Sequence, residues 1–351
     1  MSRPMSAHDQ ALAKSRPNHR KYVFLGLFVL LVIAGWSAFW YVSYTKTQSL
    51  IDRLMARQIN GTPVLQCQNQ TLGGYPFRLL LTCSSYTAQN AQNGWRVEGG
   101  AFRAIWQIYT PNLALIESDT RLTISHQPSG QTFDMVSSLM RGSVRFSPTE
   151  IISRASFEAA NPTVTSNNPA FSNMLGEIKA DSLAFHARPN PDESNDLDLS
   201  MTATELAAGS FPIVSGQFGV TLIEGLSASI RNQGNPARAW LQQSGEVKDI
   251  NGHVDIGQKT LKLNGDVSFD QQGLANGLVK LKILNPSVDA ATAGKTLSAK
   301  RDGLNGPLTA LQLMGKPVKD GDLIGSEVDI KLKGGNIQAG FLPLGRLPAI
   351  Q

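Results

Sequence analysis

The chain has 351 residues, a formal net charge of +5 and two cysteines. Five basic residues (Arg3, Lys14, Arg16, Arg20, Lys21) and one acid (Asp9) near the start supply most of that charge, and the rest of the chain is close to neutral. Nucleic-acid binding needs a basic stripe on the folded part, so that class is excluded, while the length admits one large core or two ordinary ones.

Residues 1–21 form a basic tail, and residues 22–45 contain no charged side chain. As a helix the uncharged stretch measures about 36 Å, enough for a bilayer core of about 30 Å. Basic residues before it, with only Lys46 just after, predict an N-terminus in the cytoplasm, and Trp36, Trp40, Tyr41 and Tyr44 suit the opposite interface. A cleaved signal peptide explains less, because bulky Phe39, Trp40 and Tyr41 stand where small residues precede a cut. Residues 22–45 therefore read as an uncleaved anchor.

Residues 46–61 follow as a membrane-proximal amphipathic segment, helical over 47–59. Leu50, Ile51, Leu54 and Met55 share one face, with Asp52, Arg53 and Arg57 turned away, and Asn60-Gly61-Thr62-Pro63 ends the helix. It either packs on the sheet that follows or lies along the membrane interface.

Residues 62–351 form a β-rich body rich in Gly, Ser, Thr, Asn and Gln. Both cysteines, Cys67 and Cys83, fall in it, as expected of an oxidising compartment. Gly73-Gly74-Tyr75-Pro76 is a turn signal midway between them. Pairing the flanks around Tyr75 sets Leu72 opposite Arg78 and Cys67 opposite Cys83, where a cross-strand disulfide closes a loop worth about 3 kcal/mol. A redox or metal pair would need closer spacing or a neighbouring His.

Along the second arm Phe77, Leu79, Leu81 and Cys83 share one face. Residues 102–108 and 113–116 are apolar more continuously, as in strands covered on both sides, with Pro111-Asn112 as the turn between them. Leu183, Phe185 and Ala187 alternate with polar neighbours, as do Leu197, Leu199, Met201 and Ala203, and the polar segment 189–196 between them is a hairpin loop or a seam between subdomains. Residues 253–256, 260–269 and 278–284 make a three-stranded meander with one wet face. Asn285-Pro286-Ser287 opens a helix toward Ala293, a second helix lies within 304–314, and Val328, Ile330 and Leu332 alternate before a Gly334-Gly335-Asn336 turn.

Chemistry is sparse. The nucleophile elbow, the phosphate-binding loop and the dinucleotide fingerprint are absent. His126, His186 and His253 sit singly, and the acidic cluster Asp192, Glu193, Asp196 and Asp198 lies in a loop, a poor frame for paired catalytic carboxylates. No catalytic residue, metal ligand or cofactor is expected, and the only site residues assigned are the disulfide partners Cys67 and Cys83.

The block from Cys67 through Gly73-Gly74-Tyr75-Pro76-Phe77-Arg78 to Cys83, the apolar segment from Ala104 to Pro111-Asn112, and the closing Gly335-Asn336-Ile337-Gln338-Ala339-Gly340-Phe341-Leu342-Pro343-Leu344-Gly345-Arg346-Leu347-Pro348 resemble the bacterial family called domain of unknown function 2125. The resemblance implies a Gram-negative inner-membrane location with a periplasmic body and no established activity. The late strands are more loosely similar to AsmA-like envelope proteins, whose long sheets carry apolar grooves for lipid. The expected fold is thus mostly β with a few helices: a transmembrane helix followed by a large, twisted antiparallel sheet. The expected function is binding or guiding of phospholipid along an apolar groove. The alternatives are a scaffold docking another envelope protein and, at low weight, a periplasmic hydrolase that would need one of the three histidines to meet a Ser or carboxylate in a pocket.

Overall fold

Helix α1 (His19–Ala56) is a single helix of 38 residues. At 1.5 Å per residue it is about 57 Å long, nearly twice a bilayer core. Residues 20–56 contain a stretch long and apolar enough to cross a membrane, and none of that stretch is buried against the protein. The apolar segment and the amphipathic one are continuous because no Pro or polar turn separates them. The helix ends at Ala56, short of the expected Ile59, because Gln58 and Ile59 pair with Thr62 and Pro63 instead. Asn60 and Gly61 between them both have φ > 0, the hairpin turn in which Asn-Gly is favoured. The computed structural model describes residues 19–91, 94–146, 153–227, 236–286 and 305–350.

The small pair is β1 (Gln58–Ile59) and β2 (Thr62–Pro63). The chain then runs through β3 (Leu65–Gln68), β4 (Thr71–Gly73), β5 (Arg78–Cys83), β6 (Ser85–Asn90), β7 (Trp95–Gly99), β8 (Phe102–Gln107) and β9 (Thr110–Ser118). It continues through β10 (Arg121–His126), β11 (Gln131–Val136), β12 (Leu139–Arg145), β13 (Arg154–Ala160), β14 (Thr163–Ser166), β15 (Ile178–Lys179), β16 (Ser182–Pro189) and β17 (Leu197–Ala208). Then come β18 (Val214–Leu222), β19 (Glu246–Ile256), β20 (Lys259–Phe269), β21 (Ala275–Pro286), β22 (Lys316–Asp320), β23 (Leu323–Lys333), β24 (Asn336–Ala339) and β25 (Leu342–Arg346). All of their pairings are antiparallel.

Up to β17 these are long strands bent once. One or two residues separate β5 from β6, β7 from β8, β9 from β10, β11 from β12, β13 from β14 and β15 from β16. The ladder passes through the bend: Asp119 N–H donates to Ala101 O (2.7 Å), Ser137 N–H to Thr120 O (2.7 Å) and Asn161 N–H to Asp181 O (2.8 Å). The result is two walls. The longer runs β4-β5-β8-β9-β12-β13-β16-β17-β18-β19-β20-β21-β23, and the shorter runs β3-β6-β7-β10-β11-β14-β15 and rejoins β17 through Ile178 opposite Ala208. Beyond β17 the long wall stands alone, and β23 carries β22 and β24 along its outer side, with β25 at the end.

The bend closes toward the apolar faces. Tyr86 in β6 meets the ring of Phe102 in β8 at 5.4 Å, and its hydroxyl lies 3.1 Å from Ser118 Oγ. Gly99 makes room for that ring, since a Cβ there would sit 2.3 Å from it.

Cys67 and Cys83 form a disulfide with a Cα separation of 5.4 Å, but not as directly opposed residues. Leu72 faces Leu81, not Arg78, and Cys67 faces Tyr86 of β6. The turn is centred beyond Tyr75, with Arg78 N–H donating to Gly74 O, and the bend swings Cys67 over to Cys83. The disulfide therefore joins the two walls.

Other expectations shift in detail. Pro111 and Asn112 lie inside β9, and the turn before it is at Ile108 and Tyr109. Asn285 and Pro286 end β21 and do not open a helix, while the rest of that expected helix, residues 287–293, lies outside the described residues. The polar 189–196 segment joins β16 to β17, which pair in unbroken register from Ser182 opposite Thr204 to Pro189 opposite Leu197. Short helices also pack on the sheet. In α2 (Pro169–Leu175) Phe171 meets Phe133 edge-on. In α3 (Pro236–Gln243) Trp240 packs with Leu222, Val247 and Phe269 and donates to Ile223 O. In α4 (Asn305–Met314) Leu311 is buried against Ile283, Val328 and Ala339, as the expected 304–314 helix requires.

Candidate functional site

Directly paired residues of neighbouring strands point to the same side of a sheet, so register turns sequence alternation into rows. One row crosses the whole long wall: Leu72, Leu81, Ala104, Ile116, Gly142, Phe157, Phe185, Met201, Phe218, Gly252, Leu263, Leu281 and Val328. Every member is apolar or glycine. At about 4.8 Å between strands the row is some 58 Å long. The short wall faces it with its own row, Tyr86, Gly99, Leu122, Met135, Val164, Ile178 and Ala208.

One residue along each strand, on the opposite face, the row reads Thr71, Thr82, Arg103, Glu117, Arg141, Glu158, Ala184, Thr202, Gln217, His253, Lys262, Lys282 and Glu327. Arg103 pairs with Glu117, and Arg141 with Glu158 at 2.7 Å. Exposed pairs of this kind add little stability, but a one-residue slip would exchange the two faces, so they help define the register. Where Lys262 and Lys282 fall side by side, Asp320 of β22 lies 3.1 and 3.4 Å from them. The hydrogen bond from Lys262, outweighing the partial burial of the group and followed by Lys282, holds the Asp320 carboxyl below the usual carboxylate range.

Among the described residues the apolar track is covered at its ends and open between them. Ile51 and Met55 of α1 lie on Leu81, Ala104, Leu72 and Ile116, and Leu308 and Leu311 of α4 lie over Ile283 and Val328. In the middle Phe185, Met201 and Phe218 are 41, 51 and 39% exposed. Leu50 and Leu54, expected on the same face as Ile51 and Met55, are exposed.

The near end is clasped to α1. Trp36 Nε1 donates to Pro76 O (2.8 Å) and Trp40 Nε1 to Arg78 O (3.1 Å). Tyr75 stands edge-on to Trp40 at 5.4 Å with its hydroxyl 2.8 Å from Ser37 Oγ, and Phe77 lies 5.9 Å from Trp36.

The histidines do not converge. His126 meets Ser129, His253 meets Asp255, and His186 Nδ1 lies 2.9 Å from Ser156 Oγ in a shallow polar pocket of about 720 Å³ on the outer face. Ser156 sits in β13, whose backbone is paired with β12 on one side and β16 on the other, so β13 itself offers no free pair of N–H groups for an oxyanion. Asp198 in the same pocket accepts from Asn190 (2.8 Å) and Thr221 (2.9 Å), not from His186. Buried Asp196 accepts from Glu224 N–H, so the acidic loop is tied down by its own carboxylates. Among the described residues no three His, Cys, Asp or Glu side chains are placed to hold a metal ion.

A family model described as an uncharacterized protein conserved in bacteria (DUF2125) matches residues 40–348. The chain belongs to this family. No curated protein and no solved structure matches it, and the looser likeness to AsmA-like proteins gains no support. The family region includes Trp40, the disulfide and the whole apolar track.

Proposed function

We propose that this family member is a membrane-anchored envelope protein that shields phospholipid acyl chains along its bent sheet. The observation that carries the reading is the in-register apolar row, left open at Phe185, Met201 and Phe218 while the outer face is charged. A contiguous exposed apolar strip costs stability unless something covers it, and each buried methylene of an acyl chain is worth about 0.8 kcal/mol. A disulfide between the walls and an apolar helix preceded by basic residues support a periplasmic body on an inner-membrane anchor. Docking of a protein strand on the far edge is less favoured, because β25 carries Pro343 and is followed by Pro348, residues that block strand addition.

Native mass spectrometry of the full chain released from detergent tests this reading. Wild type is expected to retain phospholipid at fixed stoichiometry, and Met201→Lys with Phe218→Lys to lose it while keeping the disulfide. Equal lipid content in both proteins would overturn it.

A further inference from the structure

The clasp fixes the depth at which the sheet meets α1. Counting from Tyr22, the first residue after the last charge of the basic tail, Trp36 is fourteen residues into the helix, about 21 Å along a core of about 30 Å. Pro76 is hydrogen-bonded to Trp36, so with Tyr22 at the cytoplasmic edge of the core the β4–β5 turn lies on the acyl side of the interface that Trp40, Tyr41 and Tyr44 mark. The neighbouring β8–β9 turn is held beside it, with Ile108 N–H donating to Phe77 O (3.1 Å).

The side chains at these tips suit that depth. Tyr75, Phe77 and Tyr109 are 54, 61 and 66% exposed, although each is large and apolar over most of its surface. Arg78, the first charge on this hairpin, is one clasp contact further along, at Trp40, from where a long side chain can reach the headgroups. The apolar face does not stop at the turn: Phe77, Leu79 and Leu81 alternate along one side, and Leu81 is the second member of the long row.

We infer that the two turns form a wedge inserted into the acyl region of the membrane leaflet on the body's side, placing the start of the track in contact with lipid. The bilayer is the occupant because the exposed tips are continuous with the spanning helix. The inference rests on α1 spanning the membrane, but not on lipid occupying the middle of the track.

The test uses full-length protein reconstituted in vesicles of phosphatidylethanolamine and phosphatidylglycerol. A photo-crosslinking amino acid replaces Phe77 or Tyr109, Phe341 as an exposed apolar control away from α1, or Leu27 within the span. After irradiation, intact-mass analysis is expected to show lipid adducts at 77, 109 and 27 and none at 341. Adducts at 27 without adducts at 77 and 109 overturn the wedge and leave the anchor standing. No adducts at 27 overturn the span and the wedge together, and equal yields at 77, 109 and 341 show contact unrelated to depth, which also overturns it. Each variant is checked for the Cys67–Cys83 disulfide, so that misfolding is not read as an absence of contact.

Discussion

Asp320 is the residue at which charge and architecture meet most closely. It neutralises two lysines that strand pairing places side by side, and its carboxyl is held below the ordinary range chiefly by Lys262. A depressed carboxyl pKa contributes stability that is present above the unfolded value of about 3.9 and lost as pH falls through the lower folded value. Asp320→Asn is therefore expected to lower the melting temperature at pH 7, with the gap from wild type closing in acid, as thermal scans across pH would show. Gly99 is a second single-residue determinant, because Tyr86 occupies the space of a side chain there. Gly99→Val should displace that ring from Phe102 and Ser118 at a cost of about 1–3 kcal/mol, readable as a lower urea midpoint. Neither role is visible in the sequence, where no local pattern links Asp320 to Lys262 or Gly99 to the ring of Tyr86.

Among the elements, the bent strand pair β3–β4 and β5–β6 shows how local signals succeed and stop. The two arms, the turn signal between them and the bonding of Cys67 to Cys83 were all legible in sequence spacing. The register was not, because the turn is centred beyond Tyr75 and the strands bend at Asn69-Gln70 and at Ser84, which no alternation pattern records. Since the bond joins the walls, Cys67→Ser or Cys83→Ser should cost about 3 kcal/mol by loop-closure entropy and let the short wall open. Denaturant melts with and without reductant would show the loss, and hydrogen exchange should rise first in β6 and β7. Helix α1 teaches the same lesson. Its composition predicts a segment able to span followed by an amphipathic one, yet only the folded chain shows that they are one continuous helix with Ile51 seated on the sheet.

For the whole molecule, the decisive feature is that several strands are readable alone while the track is not. Phe185 and Met201 in β16 and β17 each read as ordinary members of an alternating hairpin, and nothing local sets Phe218 in β18 apart. Aligned in register with ten further positions they form one apolar face. The prediction at this scale compares neighbours in sequence. A photo-crosslinking residue at Phe218 should capture phospholipid from a bacterial membrane, whereas one at Gln217, on the charged face, should not. Capture at both, or at neither, would mean that the open row is not a lipid surface.

The sequence alone determined composition-level facts: an apolar helix long enough to span a bilayer, a β-rich body with alternating faces, a bonded cysteine pair and membership of a bacterial family. These follow from local rules, namely hydropathy over about 20 residues, a period of two along strands and turn chemistry within a few residues. The tertiary structure decided which faces meet, where the strands bend, how α1 grips the first hairpin and that the apolar faces remain partly uncovered. Those outcomes depend on register between strands and on contacts such as that of Trp36 with Pro76, forty residues away, and no local pattern contains a distance of that kind.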